Sequence, residues 1–351
     1  DNREEAKKWY HQATKIDQND DRAYYEIGNL LYIESNYEEA LIYYAHAIRI
    51  NSKIYNYHKA NGNALRELGI LDEAMVCYNK AITINQKDDE VYNNIGLILS
   101  NGKRYDEAIQ NYDKAIRINP NSEYYKNKGI AYDKLGKTKE AFDCYNEAIK
   151  KNAKDHIAYN SIGNILKNQR RYKEALTCYE NAIICDPNCA LYYRNKGLTL
   201  KELGNIDDAL GSFYKALEIN PNTDAVYNDI GNIFYNDKQF GEALNCYEKA
   251  IIIKPDSAAY HRNKGITLIN LCRKAEAMDC FNDAIGFDPK YDLAYNDIGS
   301  IHKNDYRYEE ALKYFNKAIE INQNNALYYT NLGDTLRKLK RNNEAINCYN
   351  W

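Results

Sequence analysis

Small and aromatic positions recur along this chain at a fixed step, with polar residues between them. A glycine in settings such as NKG or DIG falls at Gly28, Gly62, Gly96, Gly129, Gly163, Gly197, Gly231, Gly265, Gly299 and Gly333, and every step is 34 residues except one of 33 between Gly96 and Gly129. With this glycine set as position 8, position 20 is Ala in all ten units, from Ala40 to Ala345, and position 24 is Tyr or Phe in all ten, from Tyr44 to Tyr349. Position 27 is Ala in the nine complete units, from Ala47 to Ala318, and all five prolines (Pro120, Pro187, Pro221, Pro255, Pro289) sit at position 32. Small residues at 8, 20 and 27 let two helix backbones approach, and the aromatic at 24 fills the space beside them. A proline cannot continue a helix, so it ends the second one and opens the next turn. Each unit therefore reads as a helix A, a short turn and a helix B. The units begin near Asp21, Tyr55, Asp89, Ser122, His156, Ala190, Asp224, Ala258, Asp292 and Ala326. One such hairpin cannot bury its apolar face alone, so neighbours must stack.

A longer period of two units overlies the first. Position 3 is Tyr in one class (Tyr57, Tyr124, Tyr192, Tyr260, Tyr328) and Ala or Val in the other (Ala23, Val91, Ala158, Val226, Ala294). Position 14 is Leu in the first class, as at Leu135 and Leu203, and polar or Gly in the second, as at Gly102 and Asp237. Position 17 is aromatic only in the second (Tyr37, Tyr105, Tyr172, Phe240, Tyr308). Two kinds of interface should therefore alternate along the stack.

On these residues the chain resembles the tetratricopeptide repeat (TPR) family, whose pattern of an aromatic at 4, Leu at 7, Gly at 8, an aromatic at 11, Ala at 20, an aromatic at 24, Ala at 27 and Pro at 32 is met at most positions over essentially the whole length. The resemblance implies an all-α fold, a right-handed α-solenoid of stacked helix-turn-helix units. Position 4 departs from the family's Trp, being Tyr in most units (as at Tyr125, Tyr159, Tyr193, Tyr227 and Tyr295) and His in two (His58, His261). Position 7 alternates between Ile (Ile95, Ile162, Ile230, Ile298) and Lys (Lys128, Lys196, Lys264). A Lys there should lay its stem along the core and carry its head to water.

Residues 1–20 read as helix B of a preceding partial repeat, with Ala6, Tyr10 and Ala13 at positions 20, 24 and 27. Residues 21–351 read as ten tandem units, the last one truncated, forming one continuous superhelix. Neither end carries a polar capping element of the kind that closes a solenoid, so the chain is expected to be a segment of a longer protein. No linker, charge block or low-complexity run interrupts the units.

Charge and composition narrow the function classes. The formal net charge is -3, which is no electrostatic footprint for nucleic acid. An RNA-reading helical repeat would also need a stacking stripe of Arg, which is missing. No apolar run reaches membrane-spanning length, so no membrane insertion is expected. Of nine cysteines, six (Cys77, Cys144, Cys178, Cys246, Cys280, Cys348) share position 23. Equivalent positions of packed helices lie about 8–10 Å apart, too far for disulfides, so these read as packing residues in a reducing compartment. Cys185 and Cys189 bracket Pro187 without the further ligands a metal site needs. Neither a metal nor a cofactor is expected. No Ser/His or Cys/His arrangement and no phosphate loop stands out, so the segment reads as non-catalytic. Heavy use of Asn, Lys, Ile and Tyr suggests an AT-rich genome, such as that of a ciliate or similar protist, and with it a cytoplasmic, ciliary or cytoskeletal home.

The family resemblance implies that A helices line a concave face through positions 2, 5, 6, 9, 12 and 13. Position 5 in the Tyr class gives Lys59, Lys126, Arg194 and Arg262, and position 6 there gives Asn127, Asn195, Asn263 and Asn331. The other class reads Asn93-Asn94, Asn160-Ser161, Asn228-Asp229 and Asn296-Asp297. The groove should carry a ladder of amides with alternating basic and acidic rungs, in which Arg194 reaches toward Asp229 and Arg262 toward Asp297. Asn offers both donor and acceptor to an extended peptide; equally, the ladder could satisfy itself. The ladder is similar to that of the nucleocytoplasmic O-linked N-acetylglucosamine transferase, though interrupted, which implies a substrate-selecting arm as one alternative. Lys59, Asn63 and Asn94 match three members of the carboxylate clamp of chaperone-binding cochaperones, but Glu123 and Asn127 stand where its Lys and Arg belong. The expected role is a protein-interaction scaffold that binds a partner helix or extended peptide, as part of a multi-subunit complex.

Overall fold

The computed structural model describes residues 2–349. Among them it contains twenty-one helices and no strand. The first is α1 (Asn2–Ile16). The A helices are α2 (Asp21–Ile33), α4 (Tyr55–Glu67), α6 (Asp89–Asn101), α8 (Ser122–Lys134), α10 (His156–Asn168), α12 (Ala190–Glu202), α14 (Asp224–Asn236), α16 (Ala258–Asn270), α18 (Asp292–Asn304) and α20 (Ala326–Lys338). The B helices between them are α3 (Tyr37–Ile50), α5 (Leu71–Ile84), α7 (Tyr105–Ile118), α9 (Thr138–Lys151), α11 (Tyr172–Cys185), α13 (Ile206–Ile219), α15 (Phe240–Ile253), α17 (Lys274–Phe287), α19 (Tyr308–Ile321) and α21 (Asn342–Tyr349). Every A helix starts at the residue where the periodicity begins a unit. The fold is an all-α solenoid of helical hairpins. It divides into two compact halves, one ending at Asp186 and the other beginning at Pro187.

The hairpin interior is the same in every unit. The ring at position 24 lies directly on the glycine at position 8. A Cβ on Gly96 would stand 2.5 Å from Cε1 of Tyr112, and one on Gly299 would stand 2.7 Å from Cε1 of Phe315. Only a residue without a side chain leaves room for that ring. The alanines at 20 and 27 are buried throughout, so the B helix presents a smooth face on both sides of the aromatic.

The two turns of each unit are built differently. Helix A ends in a Schellman motif at the α4–α5 turn: Gly69 N–H donates to the Arg66 carbonyl (2.9 Å) and Ile70 N–H to the Leu65 carbonyl (2.9 Å). This places position 15 in the left-handed region. Glycine occupies it at Gly69, Gly136 and Gly204, but Ser35, Lys103, Arg170, Lys238, Cys272, Tyr306 and Lys340 adopt φ of 60–62° there without being glycine. Helix B ends on an extended residue at position 31. Asn119, before Pro120, has φ -144°, as the ring that follows requires. Proline is not needed for this stop: Asn51 and Asn85, followed by Ser52 and Gln86, have φ of -141° and -131°. Here the Asn side chain makes an Asx turn, accepting from the N–H two residues on, at 3.3 Å from Lys53 and 3.1 Å from Lys87.

The steps between units alternate, as the two-unit period predicts. Helix B packs more extensively on the next helix A at α3–α4, α7–α8, α15–α16 and α19–α20, where that helix carries Tyr at position 3, than at the steps where it carries Ala or Val. Tyr124 and Asn119 both donate to Asp89, each at 2.8 Å. Tyr260 donates to Asp224, and Tyr328 to Asp292, each at 2.8 Å. The lysines of position 7 do more than reach water: Lys128 pairs with Asp113 at 2.6 Å and Lys264 with Glu248 at 3.0 Å, on the preceding B helix. Burial opposes the charge of Lys128, but Asp113 outweighs it and raises its pKa. At the other steps Val91, Ala158, Val226 and Ala294 sit fully buried where the Tyr would be, and no such tie forms.

Candidate functional site

All fifteen residues predicted for the groove lie on A helices, and none is exposed. Asn94, Asn160, Asn195, Asp229 and Asn296 are buried; Lys59, Asn63, Lys126, Asn127, Arg194, Asn228, Arg262, Asn263, Asp297 and Asn331 are half-buried. They form the floor of the A-helix face rather than its surface.

The rungs of this floor alternate with the steps. Across the tied steps an amide meets an amide: Asn127 Nδ2 donates to Asn93 Oδ1 (3.0 Å), Asn263 to Asn228 (2.9 Å) and Asn331 to Asn296 (2.8 Å). Across the untied steps of the C-terminal half a guanidinium meets a carboxylate: Arg194 Nε donates to Asp229 Oδ2 (2.7 Å) and Arg262 Nε to Asp297 Oδ2 (2.6 Å). Burial pushes the Asp297 carboxyl above the usual carboxylate range although Arg262 sits against it. In the N-terminal half, the position that would pair with Lys126 holds Ser161, and among the described residues no carboxylate lies within ion-pair distance of Lys126.

The three clamp-like residues are brought near one another but are committed elsewhere. Asn63 Oδ1 accepts from Asn94 Nδ2 (3.1 Å) and from the Tyr78 hydroxyl (2.7 Å), while Arg66 donates to Asn94 Oδ1 (2.7 Å). Lys59 is held by Asp88 (3.1 Å) and by Glu90. Burial works against its charge, but those two carboxylates hold its pKa above the ordinary value. An ammonium already placed between two carboxylates is a poor anchor for a third.

Sequence reasoning treated position 24 as a core aromatic only. Its ring is buried, yet its hydroxyl reaches the A-helix face and donates to an Asn at position 9: Tyr44 to Asn29 (3.0 Å), Tyr179 to Asn164 (2.8 Å) and Tyr247 to Asn232 (2.8 Å). Where position 24 is Phe, position 9 is Leu198, Ile266 or Ser300. The signal was present as this pairing of residue types 15 positions apart. The cysteines of position 23 pack as expected: all nine thiols are free, and burial pushes Cys144, Cys246 and Cys280 up to about 11. The position 4 histidines hold the preceding turn, His58 against the Ser52 carbonyl (2.9 Å) and His261 against that of Pro255 (2.8 Å). Among the described residues no His/Cys/Asp/Glu group could hold a metal ion, and no helix is long and apolar enough to cross a membrane.

A repeated helical hairpin with a hydrogen-bonded polar floor on its A helices defines the class: an α-solenoid repeat protein. Family models confirm which one. Tetratricopeptide repeat models match residues 90–122, 122–155, 156–189 and 190–223, 21–54 and 293–325, and 314–347, and a further TPR repeat model matches 62–102 and 231–271. The chain belongs to the tetratricopeptide repeat family. Among solved structures it is similar to the APC/C hetero-tetramer Cut9–Hcn1 (14% identity, TM-score 0.56, 90% of this chain and 76% of that one). It is also similar to Pseudomonas aeruginosa PilF (20% identity, TM-score 0.54, 66% and 98%). A third is an IFIT1 monomeric mutant with Gppp-AAAA (16% identity, TM-score 0.52, 93% and 89%). No curated protein matches the chain in sequence.

Proposed function

We propose that this chain is a non-catalytic interaction scaffold that holds an extended peptide or partner helix against the A-helix face of its repeats. The observation that supports this is the amide floor. Each Asn–Asn rung uses one of two N–H donors on one side chain and one of two acceptor sites on the other. The remaining capacity is held in fixed geometry along the face, which suits a ligand that offers both a donor and an acceptor at every residue. The same rungs brace the stack, so rigidity and recognition come from one set of bonds. We place such a scaffold inside a multi-subunit complex in the cytoplasm, with a ciliary or cytoskeletal assembly favoured by the composition.

The test is a selection of random displayed peptides on the full chain, followed by hydrogen-exchange footprinting of the enriched peptides. Protection confined to A helices is expected. Protection confined to B helices, or no enrichment, overturns the reading.

A further inference from the structure

The C-terminal half breaks the polar pattern of the groove at one step. Between α16 and α18 lies a pocket of about 420 Å³, within the roughly 300–1,000 Å³ of typical ligand sites. It has an apolar wall of Ile266, Ile269, Phe281 and Ile301 and a polar edge that includes Lys274 and Asp297, the latter already paired with Arg262. Its character follows from the pairing described above. In four Tyr units a hydroxyl and an Asn meet at this place, as at Tyr78 with Asn63 and Tyr247 with Asn232. Here position 24 is Phe281 and position 9 is Ile266, so neither polar group is present. The pocket falls at an untied step, where α18 carries the small Ala294 instead of the Tyr of the tied steps.

Asn304 lines this pocket and also the next one, of about 430 Å³, between α18 and α20. The second pocket is cationic: Lys303, Arg337 and Lys338 line it together with Tyr306, Tyr308 and a single carboxylate, Asp334. Among the described residues no carboxylate is within ion-pair distance of Lys303, which donates to the Asn331 side-chain oxygen (3.0 Å) and lies over the Phe315 ring. Arg337 is 65% exposed and 3.6 Å from Asp334, which already accepts from the Tyr349 hydroxyl at 2.9 Å. Lys338 is exposed, and among the described residues no carboxylate is within ion-pair distance of it. Arg194, Arg262 and Lys59 are each neutralised within the groove, whereas here positive charge is left over beside an apolar hole.

We infer that these adjoining pockets form a recognition site for a short acidic linear peptide, with one bulky apolar side chain seated against Ile266, Ile269 and Phe281 and neighbouring carboxylates on Lys303, Arg337 and Lys338. This rests on the peptide-groove reading and names the ligand class for it. The apolar side chain supplies the anchor, and the carboxylates supply register and on-rate, because complementary charge at a rim acts mainly on encounter and specificity. The amide floor beside the pocket would hold the intervening backbone.

The experiment uses the full chain and short labelled peptides carrying one Leu next to a run of Glu, in both orders, read by fluorescence anisotropy. One order should bind. Replacing its Leu by Ser, or its Glu run by Lys, should weaken binding at least about tenfold. Ile269→Glu, and separately the pair Arg337→Glu with Lys338→Glu, should do the same. These side chains are exposed, so the melting temperature should stay at the wild-type value and report that the variants fold. Equal binding of the Lys peptide, or full binding by both variants, overturns the inference. So does capture of an RNA hexanucleotide with the same sensitivity to the double variant. Failure here is separable from failure of the groove reading. If the selection above enriches peptides without an acidic-apolar pattern that still protect A helices, only the ligand class falls.

Discussion

Helix α8 meets α7 through a buried tyrosine, a shared aspartate and a lysine–carboxylate pair. Helix α18 meets α17 through a smooth face of alanine at Ala294, with charge pairs at its margins, Arg262–Asp297 on the groove floor and Lys274–Asp305 at the end of α18. The same hairpin is used on both sides of each step, so the difference lies only in what the two-unit period places at positions 1, 3 and 7. The tied step is closed by its own hydrogen bonds. The untied step packs less extensively, and at α16–α18 it leaves the apolar pocket open. Stacking strength alternates from step to step, while pockets open at both kinds, the apolar one at α16–α18 and the cationic one at the tied α18–α20 step.

The largest expected effect removes the part both steps share. Gly96→Leu forces a side chain into the Tyr112 ring and should cost at least about 3 kcal/mol, the upper range for overpacking a core. It should be read by native-state hydrogen exchange, because long repeat arrays do not unfold in one cooperative transition. Loss of protection should spread to α5 and α8. If protection in α6 and α7 survives, the account of the hairpin is wrong.

Next comes the tie itself. Tyr124→Phe leaves Asp89 with only Asn119 and should cost about 1.5 kcal/mol, the range for a hydrogen bond to a charged group. The same tie makes stability depend on pH. Burial works against the Asp89 charge, but the bonds from Asn119 and Tyr124 outweigh it and hold its pKa below the ordinary carboxylate value. A carboxylate depressed in the folded state adds stability that is fully present above its unfolded pKa of about 4 and is lost as pH falls through the folded value. Denaturation of wild type and Asp89→Asn across the acid range should therefore converge at low pH and diverge above about pH 4. Parallel curves would remove Asp89 from the account.

A smaller effect belongs to the floor. Asn263→Ala deletes the bond to Asn228 and should cost about 1 kcal/mol, the net worth of a neutral hydrogen bond. That is less than the Tyr124 change, because the tie involves an ionised acceptor. Urea midpoints of the two variants measured side by side would reverse the ranking if the floor, not the tie, holds the stack.

The smallest change should be stabilising. The units that lack Tyr at position 3 all carry a non-glycine in the left-handed A–B turn, and Lys238 has φ 61°. Lys238→Gly relieves a local penalty of about 1–2 kcal/mol for that conformation but loses part of it to the greater freedom of glycine in the unfolded chain. A net gain of about 0.5 kcal/mol in thermal unfolding is expected. A loss would show that the Lys238 side chain contributes contacts that outweigh the backbone.

Much of this was legible from residue types alone. Gly28, Ala40 and Tyr44 identify the hairpin, because a ring buried against a glycine and flanked by alanines leaves few other arrangements. The alternation of Tyr124 with Val91 and Ala158 identified two kinds of step before either was seen. Arg194 and Asp229, 35 residues apart, were readable as a pair because their charges are opposite and their positions recur. The floor as a whole was less legible. An Asn at position 6 looks the same whether it points to a ligand or to the Asn of the previous unit, since it can donate and accept in either case.

Residue types along the chain establish the period, the hairpin, the alternating steps and the family. Those depend on which residue can occupy a site, a question of size, backbone freedom and charge that each position answers locally. Packing of the folded chain settles that the ladder's amides bond to one another, that Lys59 is committed to Asp88 and Glu90, and that Ile266, Ile269 and Ile301 line a pocket next to Lys303, Arg337 and Lys338. Those depend on which of several chemically suitable partners comes within about 3 Å. In a repeat, every suitable partner recurs at every unit, and the spacing and packing of the stacked helices select among them.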